Sequence, residues 1–132
     1  MPRLRPSSSA TGRLKGMAAH SIPPPPELRV TATRVDGETN VAVAGEMDIA
    51  TVPGFAAAVR THLADGHVLL DLRELTFMDS TGVRALDTLL RDAELHGWTF
   101  AIRSDLHRNV RQVLVMTGML DALPLQDPPS EP

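Results

Sequence analysis

A chain of 132 residues, 42% hydrophobic and 22% charged, has the size and apolar content of one globular domain, which excludes both an unfolded chain and a string of several domains. Cysteine is absent, which rules out disulfides, thiol nucleophiles and thiolate metal sites, and the aromatic residues (Phe55, Phe77, Trp98, Phe100) are too few for a base-stacking surface. Of the 13 basic residues, four (Arg3, Arg5, Arg13, Lys15) lie in residues 1–26 with no acid, leaving nine against all 16 acids in the remainder; an acidic folded part argues against direct contact with nucleic acid and for a protein or small-ligand partner.

Residues 1–26 show no hydrophobic period and end in Pro23 to Pro26, so a disordered basic Pro/Ser-rich tail with a polyproline spacer is expected there. Met17 offers an alternative start, from which most of the basic tail would be missing. No stretch reaches the ~20 apolar residues of a membrane span, and no apolar signal segment opens the chain, so a cytoplasmic location without membrane insertion is expected.

Leu28 to Val35 alternates apolar and polar residues and predicts a strand; Asp36-Gly37-Glu38 is turn chemistry, and Thr39 to Ala44 predicts the second strand of an antiparallel hairpin. Gly45-Glu46-Met47-Asp48 breaks the pattern. Val52, Phe55, Ala56, Val59 and Leu63 then fall at helical spacing, with Pro53 tolerated in the first turn, so Val52 to Ala64 is predicted helical and Asp65-Gly66 ends it. His67 to Leu72 is a nearly continuous apolar run, as in a central strand. Val83, Leu86, Leu90 and Ala93 mark one face of a helix running to about His96, with Gly97 as its C-cap and Asp87 four residues before Arg91. Trp98 to Arg103 reads as a strand, Ser104 as the cap of a helix carrying Leu106, Val110, Val113 and Leu114, Gly118 as its end, and Leu120 to Leu125 as a last strand. Residues 126–132 read as a disordered polar tail. Strands alternating with helices imply an α/β fold with a mixed, mostly parallel sheet, the hairpin near one edge and three helices mainly on one face.

The most distinctive local feature is the strand-to-helix turn Phe77-Met78-Asp79-Ser80-Thr81-Gly82. Ser and Asp at a helix start accept hydrogen bonds from the free N–H groups of the first turn, so capping alone accounts for these residue types. An exposed Ser80 at the same place is also a site where a phosphate would meet a favourable helix dipole. Gly82 would serve close packing or the helix start, where a side chain would crowd a partner surface.

The stretch from His67 to Pro124, with VLLDLRELTFMDSTGVRALDTLL and MTGMLDALPL, resembles the STAS domain, and Gly45-Glu46-Met47-Asp48 resembles the Gly-Glu-Leu-Asp segment that ends its second strand. With the hairpin, the resemblance covers residues 27–125. Asp79-Ser80-Thr81-Gly82 is similar to the Asp-Ser-Ser/Thr-Gly signature of anti-sigma factor antagonists. That resemblance implies a Ser80 phosphorylated by a serine/threonine kinase that is also an anti-sigma factor, with Thr81 as the alternative acceptor. It implies that the unphosphorylated form binds this kinase and frees a sigma factor, and that a serine phosphatase acts as a further partner. Asp48, Asp79, Thr81, Gly82 and Val83 fall at the positions of the switch loop and partner interface. The same domain occurs as an unphosphorylated adaptor subunit, for example of lipid transporters, which is the alternative function, and a ligand-binding sensor is a third.

An enzyme is not expected. His20, His62, His67, His96 and His107 are scattered and form no ligand pair on one helix face, so no metal is expected. The chain has no Gly-x-x-x-x-Gly-Lys and no Gly-x-Gly-x-x-Gly loop to cradle a nucleotide, and its only lysine, Lys15, is in the tail, so a receiver-type phospho-aspartate site lacks its lysine. Asp48 and Asp79 form an acid/base pair on paper, without a nucleophile or oxyanion donors. No cofactor is expected.

Overall fold

The computed structural model describes residues 27–128; the tail expected over 1–26 and the last four residues of the expected C-terminal tail lie outside this range. Strands β1 (Leu28–Val35) and β2 (Glu38–Met47) are joined by Asp36 and Gly37 at φ 52° and 82°. Two successive left-handed residues make the hairpin turn whose twist matches that of its strands, which is why Asp-Gly stands here. The register runs from Val35 opposite Glu38 to Leu28 opposite Gly45.

β2 does not stop before Gly45 as its sequence suggests. Gly45, at φ 116°, carries the strand on to Met47, and a Cβ there would lie 2.1 Å from the Glu27 carbonyl oxygen. The glycine thus allows a close approach of the chain entering β1, rather than a break.

Helix α1 (Val52–Asp65) buries Phe55, Val59 and Leu63, and β3 (His67–Met78) follows it. β3 is twice the length of the apolar run that announced it. The register with β2 shifts after Asp71 and again after Leu75, so that Leu75 faces the core out of step with Val68, Leu70 and Leu72, and Met78 faces it three residues further on. A strict period of two could not find Leu75. Helix α2 (Ser80–His96) buries Gly82, Ala85, Leu86, Leu89 and Ala93, ends on a left-handed Gly97, and carries the Asp87–Arg91 pair at 3.2 Å.

The C-terminal third departs further from expectation. β4 is Phe100–Arg103, while Trp98 stacks on His96 with ring centroids 4.3 Å apart. Ser104 caps nothing: its hydroxyl donates to Asp127 at 2.6 Å, and helix α3 (Arg108–Met116) is capped by His107, whose Nδ1 accepts from the Asn109 N–H at 3.1 Å. Leu106 therefore packs on the core from a loop. Leu120–Ala122 is a 3₁₀ turn and β5 is only Leu125–Gln126. Asp121 and Ala122 favour a turn over a strand, and Pro124 has no N–H to give a ladder.

The sheet order is β1-β2-β3-β4-β5, antiparallel between β1 and β2 and parallel thereafter. Each crossover steps the same way across the sheet, so right-handed connections stack α1, α2 and α3 on one face. That face holds the core; the other carries Asn40, Leu69 and Asp71 with the Asp71–Arg73 and Arg103–Asp105 pairs, both at 2.8 Å. Burial of a side chain such as Leu70 or Leu86 is worth about 1.5–3 kcal/mol. For function, the decisive result is that β2 and β3 end side by side, Met47 opposite Met78, and α1 and α2 begin from those ends.

Candidate functional site

Two loops meet at this end of the sheet, and the Asp79 N–H donates to the Met47 carbonyl at 3.2 Å to tie them together. In the β3–α2 loop, Asp79 caps α2. Its Oδ1 accepts from the Thr81 N–H at 3.0 Å, the Gly82 N–H at 3.3 Å and the Thr81 hydroxyl, while its carbonyl accepts from the Val83 N–H at 3.2 Å. The Thr81 hydroxyl is the largest influence holding the Asp79 carboxyl below its ordinary value; burial pulls the other way and the Gly82 and Thr81 amides add to the lowering. Asp79 is therefore an anion at neutral pH.

The β2–α1 loop uses the same device. Asp48 Oδ1 accepts from Ala50 N–H at 2.9 Å and Thr51 N–H at 3.1 Å, and Thr51 Oγ1 accepts from the Asp48 N–H at 2.9 Å while lying 2.9 Å from the Glu46 carbonyl. Asp48 and Asp79 are thus brought into neighbouring loops, each turned toward its own backbone.

The remaining motif residues divide by exposure. Ser80 is exposed at the first position of α2, and among the described residues its side chain makes no hydrogen bond. Thr81 is half-buried with its hydroxyl engaged, so Ser80 carries the free hydroxyl of the pair. Val83 is half-buried against the core. Gly82 is buried: a Cβ there would stand 2.7 Å from Met78 Cγ and 3.0 Å from Met47 Sδ. The space it saves is on the core side, where α2 rests on the strand ends, and not on a solvent-facing surface.

Beside Ser80 a groove of about 340 Å³ runs between α1 and α2, lined by Ile49, Val52, Pro53 and Ala56 on one side and Thr81, Arg84, Ala85 and Thr88 on the other. Arg60, in the same groove, is held by Asp92 at 2.8 Å. Ile49 is 76% exposed at its mouth. Sequence patterning had no means of finding Ile49 or Arg84, since a groove is a tertiary feature. The signals available were an isoleucine in a loop, just ahead of a proline-started helix, and an arginine four residues after Ser80.

Among the described residues no three His, Asp or Glu side chains gather as metal ligands, and no helix is long and apolar enough to cross a membrane. The structure is similar to an anti-sigma factor antagonist from Mycobacterium paratuberculosis, at 24% identity and TM-score 0.66, covering 78% of this chain and 87% of that one. It is similar to the anti-sigma factor antagonist SpoIIAA in its unphosphorylated form, at 20% identity and TM-score 0.62, covering 77% of this chain and 90% of that one. The fold also recurs within murine Solute Carrier 26 family member A9, an anion transporter, at 14% identity and TM-score 0.56, covering 89% of this chain and 23% of that one. At such identities the likeness is one of fold. The family follows from the sequence itself: residues 29–130 match the STAS domain, and the chain belongs to the STAS domain family.

Proposed function

We propose that this chain is an anti-sigma factor antagonist: its unmodified form binds an anti-sigma factor serine kinase and so frees a sigma factor, and phosphorylation of Ser80 ends that binding. The observation that carries this reading is the division of labour in the motif, where Asp79 and Thr81 hold each other while the Ser80 hydroxyl stands exposed and, among the described residues, unengaged. Chemically, Ser80 Oγ would attack the γ-phosphorus of ATP held by the kinase, forming an O–P bond as ADP leaves, with the hydroxyl proton passing to a base of the kinase. The chain supplies only the nucleophile. That SpoIIAA, of the same fold, is known in both unphosphorylated and phosphorylated forms supports the analogy.

The docking face in this reading is the α1–α2 groove with exposed Ile49 at its mouth, next to Ser80. An apolar anchor set beside a polar rim suits a reversible protein contact, and a charge placed at that rim changes it strongly. The reading is tested by incubating the protein with candidate anti-sigma kinases and ATP and locating phosphate by mass spectrometry. One phosphate on Ser80, absent in Ser80→Ala, is expected. A chain that binds its partner through the helical face and accepts no phosphate from any such kinase is a constitutive adaptor instead.

A further inference from the structure

Three backbone donors at the start of α2, those of Thr81, Gly82 and Val83, are already in use. Thr81 and Gly82 give their N–H groups to Asp79 Oδ1, and Val83 gives its own to the Asp79 carbonyl. A phosphate on Ser80 would add about 1.5 to 2 negative charges beside the anionic Asp79, with no vacant amide at the second or third helical position to receive it. A cation at this place would therefore favour the phosphate in its charged form.

One stands in reach. Arg84 is the only basic residue in the first two turns of α2, Ser80 to Asp87. It lies four residues after Ser80, the spacing that sets two side chains over one another on a helix, and in the favourable order with the anion ahead of the cation. Arg84 is exposed and, among the described residues, forms no ion pair. The neighbouring charges are committed elsewhere: Arg60 to Asp92, Arg91 to Asp87, and Asp48 to the amides of its own loop. Arg84 also lines the α1–α2 groove.

We propose that Arg84 holds the phosphate of modified Ser80, and that in doing so it is withdrawn from the groove. The inference rests on Ser80 as the phosphoacceptor and adds the residue that reads the modification. Guanidinium and phosphate match as a bidentate, charge-assisted pair, so the modification both adds an anion at the rim and takes away the cation that unmodified protein presents there. One chemical event then alters two features of the docking face.

The experiment installs phosphoserine at residue 80 of the full chain during translation, so no kinase is involved. The phosphate is then titrated by ³¹P NMR in otherwise unchanged protein, in Arg84→Gln and in Arg84→Lys, with circular dichroism as the folding control. A neighbouring cation favours the dianion, so the second ionisation should occur about half a pH unit or more lower in the unchanged protein than in Arg84→Gln, with Arg84→Lys between them. Equal midpoints in the unchanged protein and Arg84→Gln would overturn the proposal. A failure of kinases to modify Ser80 would sink the antagonist reading while leaving this titration as it is, so the two are separable.

Discussion

The β2–α1 loop and the β3–α2 loop are built alike and display different things. In each, an aspartate at a strand end turns inward, takes two backbone N–H groups of the coming helix region and pairs with a threonine hydroxyl: Asp48 with Thr51, Asp79 with Thr81. Held in that way, each loop pushes one residue outward. In the first it is Ile49, 76% exposed; in the second it is Ser80, whose hydroxyl makes no hydrogen bond among the described residues. The aspartates and threonines are thus scaffolding, and the pair Ile49 and Ser80, one apolar and one bearing a hydroxyl, is what the scaffold presents. The motif residues of greatest family resemblance are on this account chiefly those that fix the loop, with Ser80 the exception.

The largest effect is expected at Gly82, which sets the height of α2 over the joined strand ends. Gly82→Val must push Met47 and Met78 aside, both of them buried, and should cost about 2–3 kcal/mol, lowering the unfolding midpoint by ten degrees or more in calorimetry. An unchanged midpoint would mean that the helix start rides free of the sheet. Loss of a scaffold aspartate is milder: Asp79→Ala should cost about 1 kcal/mol at pH 7. Because the folded state depresses the Asp79 pKa below its ordinary 3.8, the stability it contributes is fully present above that value and fades as pH falls through the lower folded value. Denaturant melts between pH 5 and pH 2 should therefore show a smaller acid loss for Asp79→Ala than for the unchanged protein. Mildest for the fold is Ile49→Glu, expected to change stability by less than about 0.5 kcal/mol, since the side chain is outside the core. Its effect should appear in partner affinity, reduced about tenfold or more by titration calorimetry; full affinity would remove the groove mouth from the interface.

How much of this was legible beforehand depends on how local the cause is. The hairpin at Asp36-Gly37, the helices over Val52 and Val83, and the left-handed Gly97 follow from short-range patterns and are found where those patterns put them. Ser104 and the Leu120 segment went astray because their hydrogen-bond partners are set by the fold: Ser104 meets Asp127, 23 residues on, and Leu120 sits in a 3₁₀ turn before Pro124. The long ends of β2 and β3 were hidden by a register irregularity that breaks the period of two. At the site, Asp79, Ser80 and Thr81 could be named from sequence, but three candidates for hydrogen bonding share one helix start, and only geometry separates the capping Asp79 and the engaged Thr81 from the free Ser80. Close packing is one of the roles that the sequence offers for Gly82, but its partners, Met78 and Met47, the latter 35 positions away, are visible only in the fold.

In the proposed antagonist, Ser80 alone carries the switch while its neighbours hold the loop, and this division can be measured. It is met most directly by measuring, calorimetrically, the affinity of Ser80→Asp and Ser80→Ala for the proposed anti-sigma kinase partner, with circular dichroism to establish that both are folded. An unpaired charge brought against a surface shaped for a hydroxyl costs about 2–5 kcal/mol, so Ser80→Asp should bind at least thirtyfold more weakly than Ser80→Ala, at about 1.4 kcal/mol per tenfold. Equal affinities, or phosphate transfer from ATP that persists undiminished in Ser80→Ala, would contradict it.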